Sequence, residues 1–217
     1  MQKVKKTPLF IDLDGSILDV SERSYQVYRD ILKKKNKKYL SKKDYLRMKR
    51  EKMSLERILK RTKAENISSQ FKKEWEKEIE KPYYLSLDRL SLRTEKALYW
   101  LKKYHRLVLI TFRRHPRRLF DQLKGKKIWD FFDKILTIPA GSYRPRWQLK
   151  YRYIKKYRNY DKESIIVGDG EADILAGKKL KIRTVVIAGG MTSRKILRKH
   201  KADFIIKDLL ELRKCIF

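Results

Sequence analysis

Two groups of carboxylates stand where short apolar runs end. Asp12 and Asp14, in Asp12-Leu13-Asp14-Gly15-Ser16, follow Leu9-Phe10-Ile11. Gly168-Asp169-Gly170-Glu171-Ala172-Asp173 follows Ile165-Ile166-Val167. At strand period, Asp12 and Asp14 would point to the same side. Taken singly, each acid is an ordinary loop former, because Asp favours turns. Together the two groups hold five of the fifteen acids outside residues 17–87, in a chain of net charge +32. Carboxylates packed together repel one another, so the clusters call for a cation or a reaction. Carboxylate oxygens with carbonyls and water are the ligand set of Mg²⁺.

The elements that must position these acids can be read from apolar spacing. Pro8 to Ile11 reads as a short buried strand stopped by Gly15. From Val20 to about Ile79 apolar residues recur at helical spacing, as in Val27, Ile31, Leu32 and in Phe71, Trp75, Ile79. No Gly or Pro lies between Gly15 and Pro82, Ser41 and Ser54 are suited to N-caps, and Pro82 is expected to end the helical segment. Beyond it, helices are expected at Thr94–Tyr104, Arg117–Leu123, Gln148–Tyr157, Ile174–Leu180 and Arg194–His200. Strands are expected at Leu107–Ile110, Lys134–Thr137, Ile165–Val167, Thr184–Ile187 and Phe204–Ile206. Short unbroken apolar strands alternating with helices predict an α/β fold: a three-layer, Rossmann-like parallel sheet with an inserted all-helical cap. The expected division is a core of residues 1–16 and 88–217 and a cap of residues 17–87. In such sheets chemistry gathers at the carboxyl ends of the strands.

Composition narrows the classes. The chain has 217 residues, 58 Lys+Arg against 26 Asp+Glu, 41% apolar residues and 12% aromatics, so it is no disordered basic tail. No apolar run approaches the ~20 residues that span a bilayer. The apolar stretch after the basic N-terminus is too short for a secretory signal, which needs ~7–15 residues. Cys215 is the only cysteine, which excludes an internal disulfide and a cysteine zinc cluster. A cytoplasmic protein is expected. Basic charge is spread evenly: residues 17–87 carry 21 Lys+Arg and 11 Asp+Glu, the rest 37 and 15. Two local runs stand out. Arg113 to Lys127 has seven basic residues and one acid, and Arg144 to Arg158 has seven and none. They are either solvated helix faces or a positive rim that draws in an anionic substrate.

The residues and their order resemble the haloacid dehalogenase superfamily, in the phosphoglycolate-phosphatase-like branch with a helical cap. Asp12-Leu13-Asp14-Gly15-Ser16 is similar to its DxDG(T/S) motif, with Ser16 for the commoner Thr. Thr111 matches the Thr or Ser that closes a strand in the second motif, but Phe112-Arg113-Arg114 follows it in place of the usual Asn. Lys150 matches the third-motif lysine, with Arg144 and Arg146 as competing cations. Gly168-Asp169 with Asp173 is similar to the fourth motif, GDxxxD. The resemblance implies a nucleophilic Asp12, an acid–base Asp14, and phosphate contacts from Thr111 and the amide of Phe112, with Arg113 or Arg114 adding charge at the rim. It implies Lys150 as compensating cation. It also implies Mg²⁺ on Asp12, Asp14 (through its carbonyl) and Asp169. Asp173 joins the metal set or, more in keeping with its place, holds Lys150 or a metal-bound water; Glu171 assists nearby. Arg50 and Lys52 fall where related caps meet substrate. The acid at Asp14 disfavours a dehalogenase proper, and the lack of membrane segments excludes a P-type pump.

The implied function is Mg²⁺-dependent hydrolysis of a small phosphomonoester through an aspartyl-phosphate. The alternatives are a phosphomutase with the same nucleophile, a nucleic-acid end phosphatase that uses the basic surface, and a basic binding protein without turnover.

Overall fold

The computed structural model describes residues 6–139 and 144–216. Six parallel strands form one sheet in the order β5-β4-β1-β6-β7-β8. They are β1 (Thr7–Asp12), β4 (His105–Thr111), β5 (Lys134–Thr137), β6 (Ile165–Gly168), β7 (Arg183–Ile187) and β8 (Phe204–Ile206). Helices α6 (Leu92–Tyr104), α7 (Pro116–Gly125), α8 (Arg146–Lys155), α9 (Glu171–Leu180) and α10 (Arg194–Lys199) connect them, and α11 (Arg213–Ile216) ends the described chain. Strand residues alternate between two apolar layers. Leu9, Ile11, Leu107 and Leu109 face one, while Phe10, Val108, Ile110 and Ile166 face the other. Both faces of β1 and β4 are therefore dry, which is why these strands read as unbroken apolar runs. The expected three-layer α/β fold is the one observed.

Between β1 and α6 the chain leaves the sheet. A two-residue strand, β2 (Leu18–Asp19), pairs antiparallel with β3 (Arg89–Leu90). Five helices lie between them: α1 (Ser21–Lys34), α2 (Lys42–Arg50), α3 (Leu55–Lys60), α4 (Ser68–Glu78) and α5 (Pro82–Ser86). Their apolar faces bury Val27, Ile31, Leu32, Ile58, Leu59 and Phe71 in a cluster separate from the sheet layers. Tyr28 and Tyr45 stack inside it at 4.3 Å between ring centroids. Ser41 and Ser54 are the N-caps of α2 and α3, accepting from the amides of Asp44 and Arg57. Pro82 does not end a helix as expected. It opens α5, where the missing N–H of a first-turn residue costs nothing. The β2/β3 ribbon was not foreseen, since two residues per strand leave no period to detect.

Parallel strands put Asp12, Thr111 and Gly168 at one edge of the sheet. β1 lies between β4 and β6, so Asp12 sits at the centre of that edge, with Thr111 on one side and Asp169 on the other.

Helix α9 lies close to the sheet at Gly177. A Cβ there would fall 2.4 Å from Thr184 Cγ2 and 2.6 Å from Ile166 Cγ2. In a helix Gly→Ala normally gains about 1 kcal/mol, whereas overpacking a core costs about 1–3 kcal/mol. Gly177→Ala is expected to lower the thermal midpoint by a few degrees, read by circular dichroism. An equal or higher midpoint would mean that α9 can withdraw from the sheet at no cost.

Candidate active site

Lys150 is the centre of the acidic edge. It sits in the second turn of α8, 2% exposed, and its ammonium donates to Asp12 Oδ1 at 2.6 Å and to Asp173 Oδ1 at 2.5 Å. The helix begins at Arg146, two residues before the expected start, so Lys150 reaches the carboxylates from inside the helix. Arg146 is exposed, with its guanidinium 5.0 Å from the centroid of the Phe112 ring, and Arg144 is exposed as well. Lys150 is the cation that meets Asp12.

The electrostatics follow from crowding. Burial by itself would lower the Lys150 ammonium; Asp12 and Asp173 reverse this and hold it above the ordinary lysine range. Burial pushes the Asp12 carboxyl up, Lys150 pulls it down, and Asp173 and Asp169 push it up again. Asp169 is raised to about 6, mainly by burial, although the Met191 amide donates to its Oδ2. Three buried carboxylates thus share one ammonium, and the pocket is short of positive charge. That deficit is what a divalent cation relieves, so the donor chemistry fits Mg²⁺. Among the described residues no three acidic, His or Cys side chains are grouped as a metal cage. Asp12 and Asp169 are the carboxylates with capacity left. Asp173 accepts from Lys150 with one oxygen and from the Gly170 amide with the other. It reads as the positioner of Lys150, not as a metal ligand.

Gly15 lets the two clusters meet. Its φ is +86°, a left-handed value that favours glycine, and a Cβ there would fall 2.1 Å from Asp169 Oδ2. Any side chain at this position would displace the carboxylate.

Asp14 has a different set of partners from Asp12. Arg113 grips it in a fork, with Nη2 to Oδ1 at 2.7 Å and Nε to Oδ2 at 2.9 Å, and Arg23 Nη2 adds an ion pair at 3.1 Å. Desolvation would raise Asp14, but Arg113 and then Arg23 overcome it and hold the carboxyl well below the usual range. Asp88 lies behind both guanidiniums, 3.0 Å from each, and also accepts from Gln122 at 2.8 Å. Arg113 is therefore not a rim residue as expected. It is 4% exposed and belongs to this closed quartet. Arg114 is likewise committed, to Glu76 and Glu80, and Glu80 also accepts from the Arg114 amide at 2.9 Å. Glu171 is exposed and pairs with His200 at 3.3 Å, outside the carboxylate pocket. Arg23 and Asp88 carry no signal in the sequence: neither belongs to a motif.

Thr111 closes β4, 2% exposed, and the half-buried Phe112 follows it. The helical insert adds cations from above. Lys52 is close enough to act on Asp169, and Lys49 is lowered by burial, by Lys52 and by Arg146. Arg50 instead makes a structural contact: Nε donates to the Gly190 carbonyl at 3.2 Å, and its own carbonyl accepts from the Ser193 amide at 2.9 Å. Lys49 was missed, though it lies in the same stretch as the expected pair.

Comparison with known proteins identifies the family and the fold. A family model described as haloacid dehalogenase-like hydrolase matches residues 9–187. A haloacid dehalogenase-like hydrolase from Streptococcus pneumoniae superposes with a TM-score of 0.79 at 19% identity, over 98% of this chain and 99% of that one. A predicted phosphoglycolate phosphatase from Haemophilus somnus superposes at 0.73 and 18% identity, over 99% of each. The pyrophosphatase PpaX of Oceanobacillus iheyensis is 24% identical over 48% of this chain and 49% of its own length. The chain spans less than half the length of the curated relatives it matches.

Removing one partner of a buried charge cluster leaves the others uncompensated, at a cost of about 3–5 kcal/mol. Lys150→Met is expected to lose stability on that scale in urea denaturation with a chelator present. Adding Asp173→Asn should recover part of the loss. No recovery would trace the effect to packing, not charge.

Proposed function

The chain belongs to the haloacid dehalogenase-like hydrolases, and from that premise we propose that it hydrolyses a small phosphomonoester or pyrophosphate at Asp12. The observation that carries this reading is the desolvated Asp12 carboxylate, paired with Lys150 at the centre of the sheet edge and flanked by Thr111. Lys150 holds Oδ1, and among the described residues nothing donates to Oδ2, so one oxygen is left to react. An Asp12 oxygen attacks phosphorus and the bond to the leaving oxygen breaks, giving an aspartyl-phosphate. Water then attacks phosphorus, the bond to Asp12 breaks, and phosphate leaves. The Thr111 hydroxyl and the Phe112 amide are suited to donate to phosphoryl oxygens. Mg²⁺, when bound by Asp12, Asp169 and the Asp14 carbonyl, supplies the positive charge that the pocket lacks.

Asp14 is the proton-handling group. Gripped by two guanidiniums it is a carboxylate but a weak base, and it takes the proton of the attacking water only as the grip loosens. Giving a proton to the leaving oxygen requires that the grip loosen, and Arg23 stands on α1, in the helical insert, from which such a change would come.

The mouth of the site points to substrates with a second anionic group. Lys49 and Lys52 come from α2 and the turn after it, and Arg146 from the start of α8. Among the described residues these three make no ion pair with a carboxylate. Pyrophosphate and phosphoglycolate, named for the similar proteins, both carry a second anion beside the phosphate that is cleaved.

A panel of phosphoesters with Mg²⁺, read by phosphate release, tests both points. Asp12→Asn should reduce release to background, as should a chelator in the wild-type protein; undiminished release from Asp12→Asn would overturn the site. Lys52→Ala should raise KM about tenfold for doubly anionic substrates and leave p-nitrophenyl phosphate little changed. An equal effect on both would remove the second-anion reading. Sustained turnover of p-nitrophenyl phosphate without an added bisphosphate would argue against a mutase.

A further inference from the structure

A second cleft runs along the outer edge of the sheet, between β5 and α8, with a volume of about 900 Å³. Its size falls within the range of ligand sites. Its floor is apolar, from Leu136, Ile138 and Leu149, and two half-buried tyrosines, Tyr153 and Tyr157, wall one side. Tyr157 is fixed edge-on against Phe10, at 5.6 Å between ring centroids. Around the opening stand Lys134, Arg152, Lys156 and Arg158, all exposed. None of the four has a carboxylate partner among the described residues. The acid at the rim, Asp133, is already engaged, with Lys102 at 3.0 Å and the Leu107 amide at 2.9 Å.

The same helix serves two sites. Lys150 faces Asp12, whereas Arg152, Tyr153 and Lys156 face the cleft. The acid-free run from Arg144 to Arg158 is thus only partly explained by the hydrolytic site, and β5 is the sheet's open edge.

We propose that this cleft binds single-stranded nucleic acid, its backbone on the four cations and its bases against Tyr153 and Tyr157. Unpaired cations along a groove suit a string of phosphates, and aromatic faces beside them accept bases of any sequence, each stack being worth about 1–3 kcal/mol. An acidic peptide would satisfy the cations but leave the rings and the apolar floor without a partner of their own kind. A duplex hides its bases and would meet only the rim. The inference does not depend on the hydrolytic reading: the cleft shares no reacting group with Asp12.

The probe is a fluorescein-labelled twelve-nucleotide oligothymidine with hydroxyl ends, titrated with the full chain in a chelator and read by anisotropy. With no terminal phosphate to cleave and no metal, hydrolysis does not compete with binding. Three or four neutralised phosphates give a log–log salt slope of about −2 to −3. Arg152→Glu with Lys156→Glu should weaken binding at least tenfold at an unchanged thermal midpoint. Tyr153→Leu, which keeps an apolar side chain, should weaken it about fivefold or more. Lys38→Glu with Lys43→Glu, a like charge change on the helical insert, should leave binding intact. Equal weakening by that control would mean diffuse attraction to a net +32 chain and would overturn the proposal. So would equal or tighter binding of a duplex, or displacement by an oligoglutamate of the same charge at the same concentration.

Discussion

One ammonium and three carboxylates occupy a single dry pocket, and the arrangement of the sheet edge follows from keeping that pocket tolerable. Carboxylates taken out of water require opposite charge at hydrogen-bond distance. Lys150 supplies it to Asp12 and Asp173 at once, which fixes how α8 must lie across the edge. Asp169 sits against the backbone of Gly15 and takes the Met191 amide, which fixes the loops after β1 and β7. Even so the charge does not balance. That imbalance is the reason to expect a divalent cation, and it also explains why a basic protein keeps its acids here.

A second network meets the same requirement by another route. Asp14, Asp88, Arg23 and Arg113 form a quartet of two charges of each sign, with Asp88 and both guanidiniums buried and Asp14 partly exposed. Arg23 belongs to α1, Asp88 to the return segment before β3, and Arg113 to the loop after β4. The quartet therefore ties the helical insert to the sheet through the carboxylate proposed to move protons. A change in how the insert sits cannot leave Asp14 untouched, because two of its contacts would move with different parts of the chain.

What was legible in the sequence had a local cause. Strands buried on both faces are unbroken apolar runs, and parallel topology places their ends together, so Asp12, Thr111 and Asp169 could be brought to one edge on paper. Lys150 was legible only through the resemblance, because nothing near it in the chain shows that it reaches 138 residues back to Asp12. Arg23 and Asp88 were not legible at all. A long guanidinium can be buried from almost any helix position if two carboxylates wait for it, and that meeting is made by the fold. Arg113 and Glu171 were misread for the same reason: sequence proximity to a motif does not say which way a side chain turns. Pro82 was misread because proline both closes helices and opens them.

The even spread of basic charge conceals a difference in how the charges are used. In the quartet and at Lys150, cations are matched to carboxylates within hydrogen-bond distance and are withdrawn from solvent. At the mouth of the site and along the cleft, cations stand in groups without such partners among the described residues. A composition count cannot separate the two, because both contribute equally to +32. The second kind is the more available to another molecule, since its charge is not already matched by a carboxylate. The surplus therefore carries meaning where it is local and unmatched. Those places are the approach to Asp12, where α2 and the start of α8 meet, and the outer cleft between α8 and β5.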